Sequence, residues 1–427
     1  MVLRGLAATM KDMTASHIAP RRIVIAGGGV AALEALMALH DLGEAQFDIT
    51  LVAPGEDFVL RAMAVAVPFS AGHVTRVPLD DVCAEFGATR RRAAVVAVDG
   101  AARRVVCSDG AELDYDVLVL ATGAVSRPAY ANALTFSDED PVALSGLLRD
   151  VEQGVCASLA VVVPPSGSWS LPVYELALLI ARHAHSAGVE LPIHVVTPEP
   201  APLQIFGPAA TSAIAELLDE RGITLHLGSY ASIERGGRLM LTPGQRRLTV
   251  ARVVALPVVD GRVIPGVPAD EHGFIPSDDH GRVIGCNAVY AVGDGADFPV
   301  KQGGLATQQA DAAARHIAAE AGARVEAVPF RPVMRGLLLT GAEPRFMRNA
   351  GARGGDGGKI SDETLWWPPA KVVGHYLAPW LARHATIAGR APVGADAVEI
   401  DAQLPSGRDA RPLGISPIPP VTSGPAD

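Results

Sequence analysis

From Arg21 to Leu42 the chain reads RRIVIAGGGVAALEALMALHDL, a short apolar run, three glycines, then apolar residues at 33, 36, 37 and 39. The run predicts a buried strand over Ile23–Ala26, the glycines a turn, and the spacing a helix over Val30–Leu42. A second apolar run, LAVVV from Leu159, is followed by a polar loop, and LPVYELALLIARH then resumes at helical spacing. PIHVVTPEPAPLQIFG copies the shape of the earlier DITLVAPGEDFVL, and a helix over Ala209–Arg221 leads into GITLHLGS. Residues 94 to 115 alternate as a β-meander, and Asp116–Leu120 and Ala288–Val292 are two further buried strands. LWWPPAKVVGHYLAPWLARH reads as a proline-started helix with Val372, Val373, Tyr376, Leu377, Trp380 and Leu381 along one stripe. Strands alternating with helices predict an α/β fold.

Composition adds scale. With 427 residues, 49% hydrophobic and 19% charged, the chain has material for two or three packed domains with large cores. A net charge of −10, with no basic block beyond Arg90–Arg92, argues against nucleic acid or an acidic membrane held by a basic patch. The four cysteines, Cys83, Cys107, Cys156 and Cys286, show no CxxC spacing, so neither a disulfide framework nor a zinc site is expected, and a reducing, cytoplasmic setting fits. Among the twelve histidines no HExxH pattern occurs, and no metal is expected. Residues 1–20 read as a flexible extension rather than a leader, and residues 386–427 as a disordered tail. No run approaches the roughly 20 apolar residues of a spanning helix, so membrane contact is expected only as peripheral contact, at the inner face.

The glycine turn carries the first chemistry. Gly27, Gly29 and Ala32 stand at GxGxxA spacing between strand and helix. Gly27 permits the tight turn, Gly29 lets a pyrophosphate approach the backbone, and Ala32 keeps helix and sheet close, while the helix N-terminus offers free N–H groups to phosphate. The next strand should end in a ribose-binding acid, but Ala53 is there, with Glu56 and Asp57 in the following loop as either ribose ligands or solvated acids. Arg61 is read two ways, against a phosphate or carbonyl of a ligand, or in a surface ion pair. Two later clusters join the turn: Ala121-Thr122-Gly123 after a buried strand, and Gly293-Asp294 followed by Lys301 and the Gly303-Gly304 helix start.

These three pieces, in this order, resemble the flavoprotein family with two dinucleotide-binding domains, which includes disulfide reductases, type II NADH dehydrogenases and sulfide:quinone oxidoreductases. The resemblance spans about residues 21 to 385 and implies FAD as cofactor. It implies two Rossmann-like domains of the FAD/NAD(P)-binding fold, the second inserted in the first: 21–130 and 270–330 for FAD, 140–260 for the second, then an interface and flavin-covering segment at 331–385. Cofactor contacts are implied for Gly27, Gly29, Val30, Ala31 and Ala32, for Ala53, Arg61 and Val96, and for Ala121, Thr122 and Gly123. They are implied also for Gly293, Asp294, Lys301, Gln302, Gly303, Gly304 and Leu305. Asp294 takes the ribityl or pyrophosphate side, and Lys301 is the expected catalytic group, tuning the flavin by its charge unless it simply faces solvent.

The second βα unit departs from the pattern. Ser168, Ser170 and Val173 stand where three glycines belong, Pro172 lies inside the turn, and Thr197 replaces the ribose acid. The unit is read as a Rossmann-like half that lost tight NAD(P)H binding; the alternative is that Glu175 and the helix N-terminus still admit a nicotinamide nucleotide weakly. Sulfide:quinone oxidoreductases also lack that site, but their catalytic cysteines are missing here: the loop has Trp169 and serines, no cysteine follows Cys286, and all four thiols read as small buried hydrophobes. The expected function is a sulfide:quinone oxidoreductase-like FAD enzyme, moving two electrons from a small donor to a quinone-like acceptor without those cysteines. Trp169, Pro172 and Tyr376 are its expected substrate pocket, with plain core packing as the other reading of the carboxyl-terminal stripe. A type II NADH dehydrogenase-like enzyme and a non-catalytic flavin-binding partner protein are the alternatives, and a homodimer is left open.

Overall fold

The structure, a computed structural model, describes residues 19–384 apart from 44–45, 166–168 and 350–357. Most of the expected amino-terminal extension, the expected tail and Ser168 lie outside the described residues. The first βα unit forms as read: strand β1 (Arg21–Ala26), the glycine turn, and helix α1 (Val30–Gly43). β1 lies between β2 (Phe47–Val52) and Val117–Leu120, and the sheet ends in Thr89–Arg91 on one side and Val289–Ala291 on the other. Every pairing in it is parallel. Central strands buried on both faces need apolar residues at every position, which is why their sequences are runs rather than alternations.

Between the strands at 117–120 and 289–291 the chain leaves to build a second parallel sheet, ordered Leu134–Thr135, Arg252–Ala255, Leu159–Val162, Ile193–Val196, Ile223–His226. Its first strand precedes the expected boundary at 140. Helices Leu171–Ser186 and Pro208–Glu220 follow its strands, and an antiparallel ribbon, Ala124–Arg127 on Val258–Gly261, links the two sheets. The meander is three antiparallel strands between 95 and 114. The long helix Gly303–Glu320 packs on α1 through alanines, among them Ala31, Ala35, Ala306, Ala310 and Ala313, so the two axes approach closely.

The carboxyl-terminal region differs from the proline-started helix expected of it. Residues 334–361 form a three-stranded antiparallel sheet, Pro368 and Pro369 lie in irregular chain, and the helix begins only at Leu377. Two consecutive prolines remove two donors, and the N–H groups at the helix start turn instead to Glu34 of α1, which accepts from Tyr376 at 3.0 Å and Leu377 at 2.9 Å. Gly374 is required there, because a Cβ would lie 2.2 Å from Glu34 Oε2. The stripe packs as core all the same, with Val372, Val373, Leu377, Trp380 and Leu381 buried. Among the described residues no helix is long and apolar enough to cross a membrane.

Glu34 is fully buried, and desolvation pushes its carboxyl up to about 7 against the lowering effect of the backbone N–H donors. The native state therefore binds more protons than the unfolded chain between its unfolded pKa, about 4.3, and about 7. Stability is expected to fall as pH rises through that window and then to level. Glu34→Gln should reduce the difference in melting temperature between pH 5 and pH 8. Equal differences in variant and wild type would show that Glu34 does not titrate there.

Candidate functional site

Three turns at the carboxyl ends of neighbouring strands meet at one end of the first sheet: residues 27–29 after β1, 121–123, and 293–294. They floor a cavity of about 1170 Å³ that continues beneath the second sheet unit. That exceeds the roughly 300–1,000 Å³ of ordinary small-molecule clefts and leaves room for an extended ligand with a second molecule beside it.

The glycines of this floor divide by what holds them. Gly27 has φ 135°, and a Cβ there would lie 2.1 Å from the Ala121 carbonyl oxygen, so contact between two turns demands it. Gly293, at φ 77°, would meet Ala31 at 2.9 Å. Gly29 has no protein neighbour within 4 Å of its would-be Cβ. Nothing in the fold needs that residue to be glycine, whereas a phosphate resting on the α1 N-terminus does. In the same cavity lining the Thr122 hydroxyl oxygen, near Gly295, is buried without a partner, an orphan that a ligand hydroxyl or phosphate would satisfy. The residues present fit a phosphate-bearing dinucleotide.

Charge in the cavity is paired across turns. Burial raises the Asp294 carboxyl, and Lys301 draws it back down. Asp138 shares the cavity; burial raises it too, with Arg61 opposing. Lys301 donates to the Ala296 carbonyl and sits over the Phe274 ring at 3.6 Å from its centroid, and burial lowers it to about 8, leaving it cationic at neutral pH. Lys301 is thus tethered inside the cavity wall rather than solvent-facing.

Val30, Ala31, Ala53, Arg61, Val96, Ala121, Thr122, Gly123, Gln302 and Gly303 also line the cavity. Arg90 fastens the loop after β2, donating to the carbonyls of Ala53 at 2.7 Å and Gly55 at 2.6 Å. Of the two loop acids, Asp57 reaches the lining, while Glu56 is exposed and pairs with Arg92 at 2.9 Å. Ala32, Gly304, Leu305 and Tyr376 lie outside the lining. Ala32 and Leu305 are buried in core clusters, and the Tyr376 hydroxyl donates to Asp41 at 3.3 Å. Glu34, 342 positions away on α1, accepts the Tyr376 N–H and fixes the residue over that helix.

Trp169 and Pro172 line the far wall, where they are joined by Glu175, Arg335 and Lys371. The Lys371 ammonium donates to Glu175 at 2.7 Å, with side-chain exposures of 9% and 0%, so this is a buried ion pair facing a cavity. The other Glu175 oxygen accepts the Leu339 N–H at 3.0 Å. Burial pushes Glu175 up, and Lys371 opposes it. Lys371 and Asp138 escaped the sequence reading: a lysine alone in PPAKVV was the available signal for one, and the other looks like any acid in a polar loop.

All four cysteines are free; Cys83, Cys107 and Cys156 are buried, Cys286 is half-buried, and none lines the cavity. Burial pushes every one of these thiols up. Among the described residues Asp278, Asp279 and His280 bring ligand-type atoms within 4.8 Å of one another, but Asp278 is engaged by Arg282 at 2.6 Å.

The family model "Pyridine nucleotide-disulphide oxidoreductase" matches residues 21–316. The NADH dehydrogenase-like protein MT1860 of Mycobacterium tuberculosis (strain CDC 1551 / Oshkosh) is 31% identical over 293 residues, 64% of this chain and 72% of that protein. Among solved structures, the sulfide:quinone oxidoreductase from Aquifex aeolicus superposes with a TM-score of 0.72 at 17% identity, covering 80% of this chain and 87% of that one. The ferredoxin reductase for the CYP199A2 system from Rhodopseudomonas palustris gives 0.58 at 20% identity, covering 77% and 82%. With the match running through both parallel sheets and the turns that floor the cavity, this chain belongs to the pyridine nucleotide-disulphide oxidoreductase family and is an oxidoreductase.

Proposed function

We propose that the cavity holds FAD and that the protein passes two electrons from a small donor, bound against the far wall, to a quinone or similar acceptor. The observation that carries this reading is Gly29, a glycine with open space before it at a helix N-terminus. When bound, FAD supplies the two-electron redox chemistry. The chain's residues do the rest. The α1 N-terminus and the Gly27–Gly29 backbone receive the pyrophosphate. Asp294 accepts hydroxyl hydrogen bonds, and Lys301 with the start of helix Gly303–Glu320 sets positive charge in the wall, where it favours an anionic reduced state. Trp169 and Pro172 make the donor wall apolar, and the Lys371 Nζ to Glu175 Oε2 ion pair, 2.7 Å long, sets a fixed pair of charges in that wall.

No thiol lines the cavity, so a route through protein cysteines is not part of this reading. The setting that goes with it is the cytoplasm, in peripheral contact with the inner face of a quinone-bearing membrane. The name of the Mycobacterium relative favours a second reading, NADH as donor. An anaerobic donor screen followed by flavin absorbance separates the two: bleaching by sulfide or a thiol but not by NADH supports the first, and rapid bleaching by NADH the second. Asp294→Ala is expected to lower FAD occupancy at least tenfold as the protein is purified, and full occupancy would count against the role given to Asp294.

A further inference from the structure

We infer that the second sheet unit is closed to pyridine nucleotides by its own side chains, and that Tyr174 is the residue that locks it. The inference rests on the flavin reading above and deepens it by removing one class of donor. A dinucleotide half-site needs an open turn, free N–H groups at the following helix, and an acid beyond the second strand to hold the ribose hydroxyls. Among the described residues, the Val173 N–H at the helix start and the acid are both engaged within the unit itself.

At the turn, helix Leu171–Ser186 starts with Leu171-Pro172, and Val173 is fully buried in the core where a small residue would let helix and strand close up. The Val173 N–H is taken by the Ser170 carbonyl at 3.0 Å. Trp169 packs edge-on against Phe206, with ring centroids 6.0 Å apart.

The acid is present but faces inward. Strand Ile193–Val196 is followed by Thr197, and two residues further on stands Glu199, the carboxylate in reach of that strand end. It accepts the Tyr174 hydroxyl at 2.6 Å and the Thr197 hydroxyl at 3.2 Å, while its own N–H donates back to Thr197 at 3.2 Å. Tyr174 is fully buried, so its ring spans the gap between helix and strand end with its hydroxyl anchored on the acid. Burial pushes both groups up: Glu199 is raised with the Tyr174 bond opposing, and Tyr174 is raised further by the neighbouring carboxylate. To reach a ribose, Glu199 must break its short hydrogen bond to the Tyr174 hydroxyl, which then keeps Thr197 and the Leu203 backbone beside it. That step alone lowers nucleotide affinity about tenfold to a hundredfold.

The test is equilibrium binding of NADH to the full flavin-loaded protein, read by NADH fluorescence and in parallel by anaerobic flavin absorbance. Wild type is expected to show no saturable binding below about 1 mM, a weak-affinity limit, and no bleaching. Saturable binding well below that, or bleaching by NADH, overturns the inference. A second comparison isolates the lock: Ser170→Gly/Val173→Ala loosens the helix start, and adding Tyr174→Phe removes the shortest of the Glu199 hydrogen bonds at nearly constant volume. The triple variant is expected to bind NADH at least ten times more tightly than the double; equal affinity would remove Tyr174 from the role. If the double variant does not fold, the wild-type titration decides. Loss of flavin from the wild type, by contrast, sinks the proposed function and leaves the fluorescence titration readable.

Discussion

Gly29→Val protein is expected to purify folded and without flavin. No protein atom lies within 4 Å of the added Cβ, and the backbone there is not in the left-handed region, so the fold accommodates the side chain. The change at the start of α1 is expected to cost about 1 kcal/mol or less, which moves a melting temperature by only a few degrees. The same side chain stands where a pyrophosphate must rest on the helix N-terminus. Losing that contact, worth several kcal/mol of charge-assisted hydrogen bonds, should weaken FAD binding by about 10³-fold or more. The flavin-to-protein ratio and a fluorescence titration with added FAD measure it, beside a thermal melt. Gly27→Val is the contrast. At φ 135° and 2.1 Å from the Ala121 oxygen it should damage the fold itself. A yellow Gly29→Val protein with wild-type occupancy would remove the ground for placing phosphate at this turn.

Lys371→Met carries the second large effect. Glu175 has no exposed surface, and with its cation replaced by an apolar chain its charge is left in the interior. Removing one partner of a buried pair is expected to destabilise by about 3–5 kcal/mol. The Glu175 carboxyl is already raised by burial, with Lys371 opposing; without the lysine it moves further up. The deficit should therefore be full at alkaline pH and shrink as pH falls and the carboxyl takes a proton. Glu175→Gln/Lys371→Met should recover most of the loss, because the amide oxygen still accepts the Leu339 N–H. Denaturant unfolding at pH 8 and pH 5.5 checks all three proteins. A single variant as stable as wild type at pH 8 would mean that the ion pair does not form in solution.

The sequence by itself determined the elements and the turns. β1, α1 and the Gly27–Gly29 turn were legible because strand, turn and helix are consecutive in the chain and glycines at that spacing mark the turn. Asp294 and Ala121–Gly123 were legible for a similar reason, since short loops after buried strands of a parallel sheet gather at one end. What only the tertiary structure decided were pairings between distant residues. Lys371 meets Glu175 across 196 positions, and Glu34 meets the last helix across more than 340; neither residue's neighbours announce its partner. Glu34 on another helix accepts the Tyr376 and Leu377 N–H groups and so sets where the last described helix begins, well after Pro368-Pro369. The direction in which Glu199 points, outward to a ribose or inward to Tyr174, likewise depends on the packing of a helix on a strand end. Local chemistry sets where the chain turns; desolvation decides which buried charges must find one another, and that is settled only once the core closes.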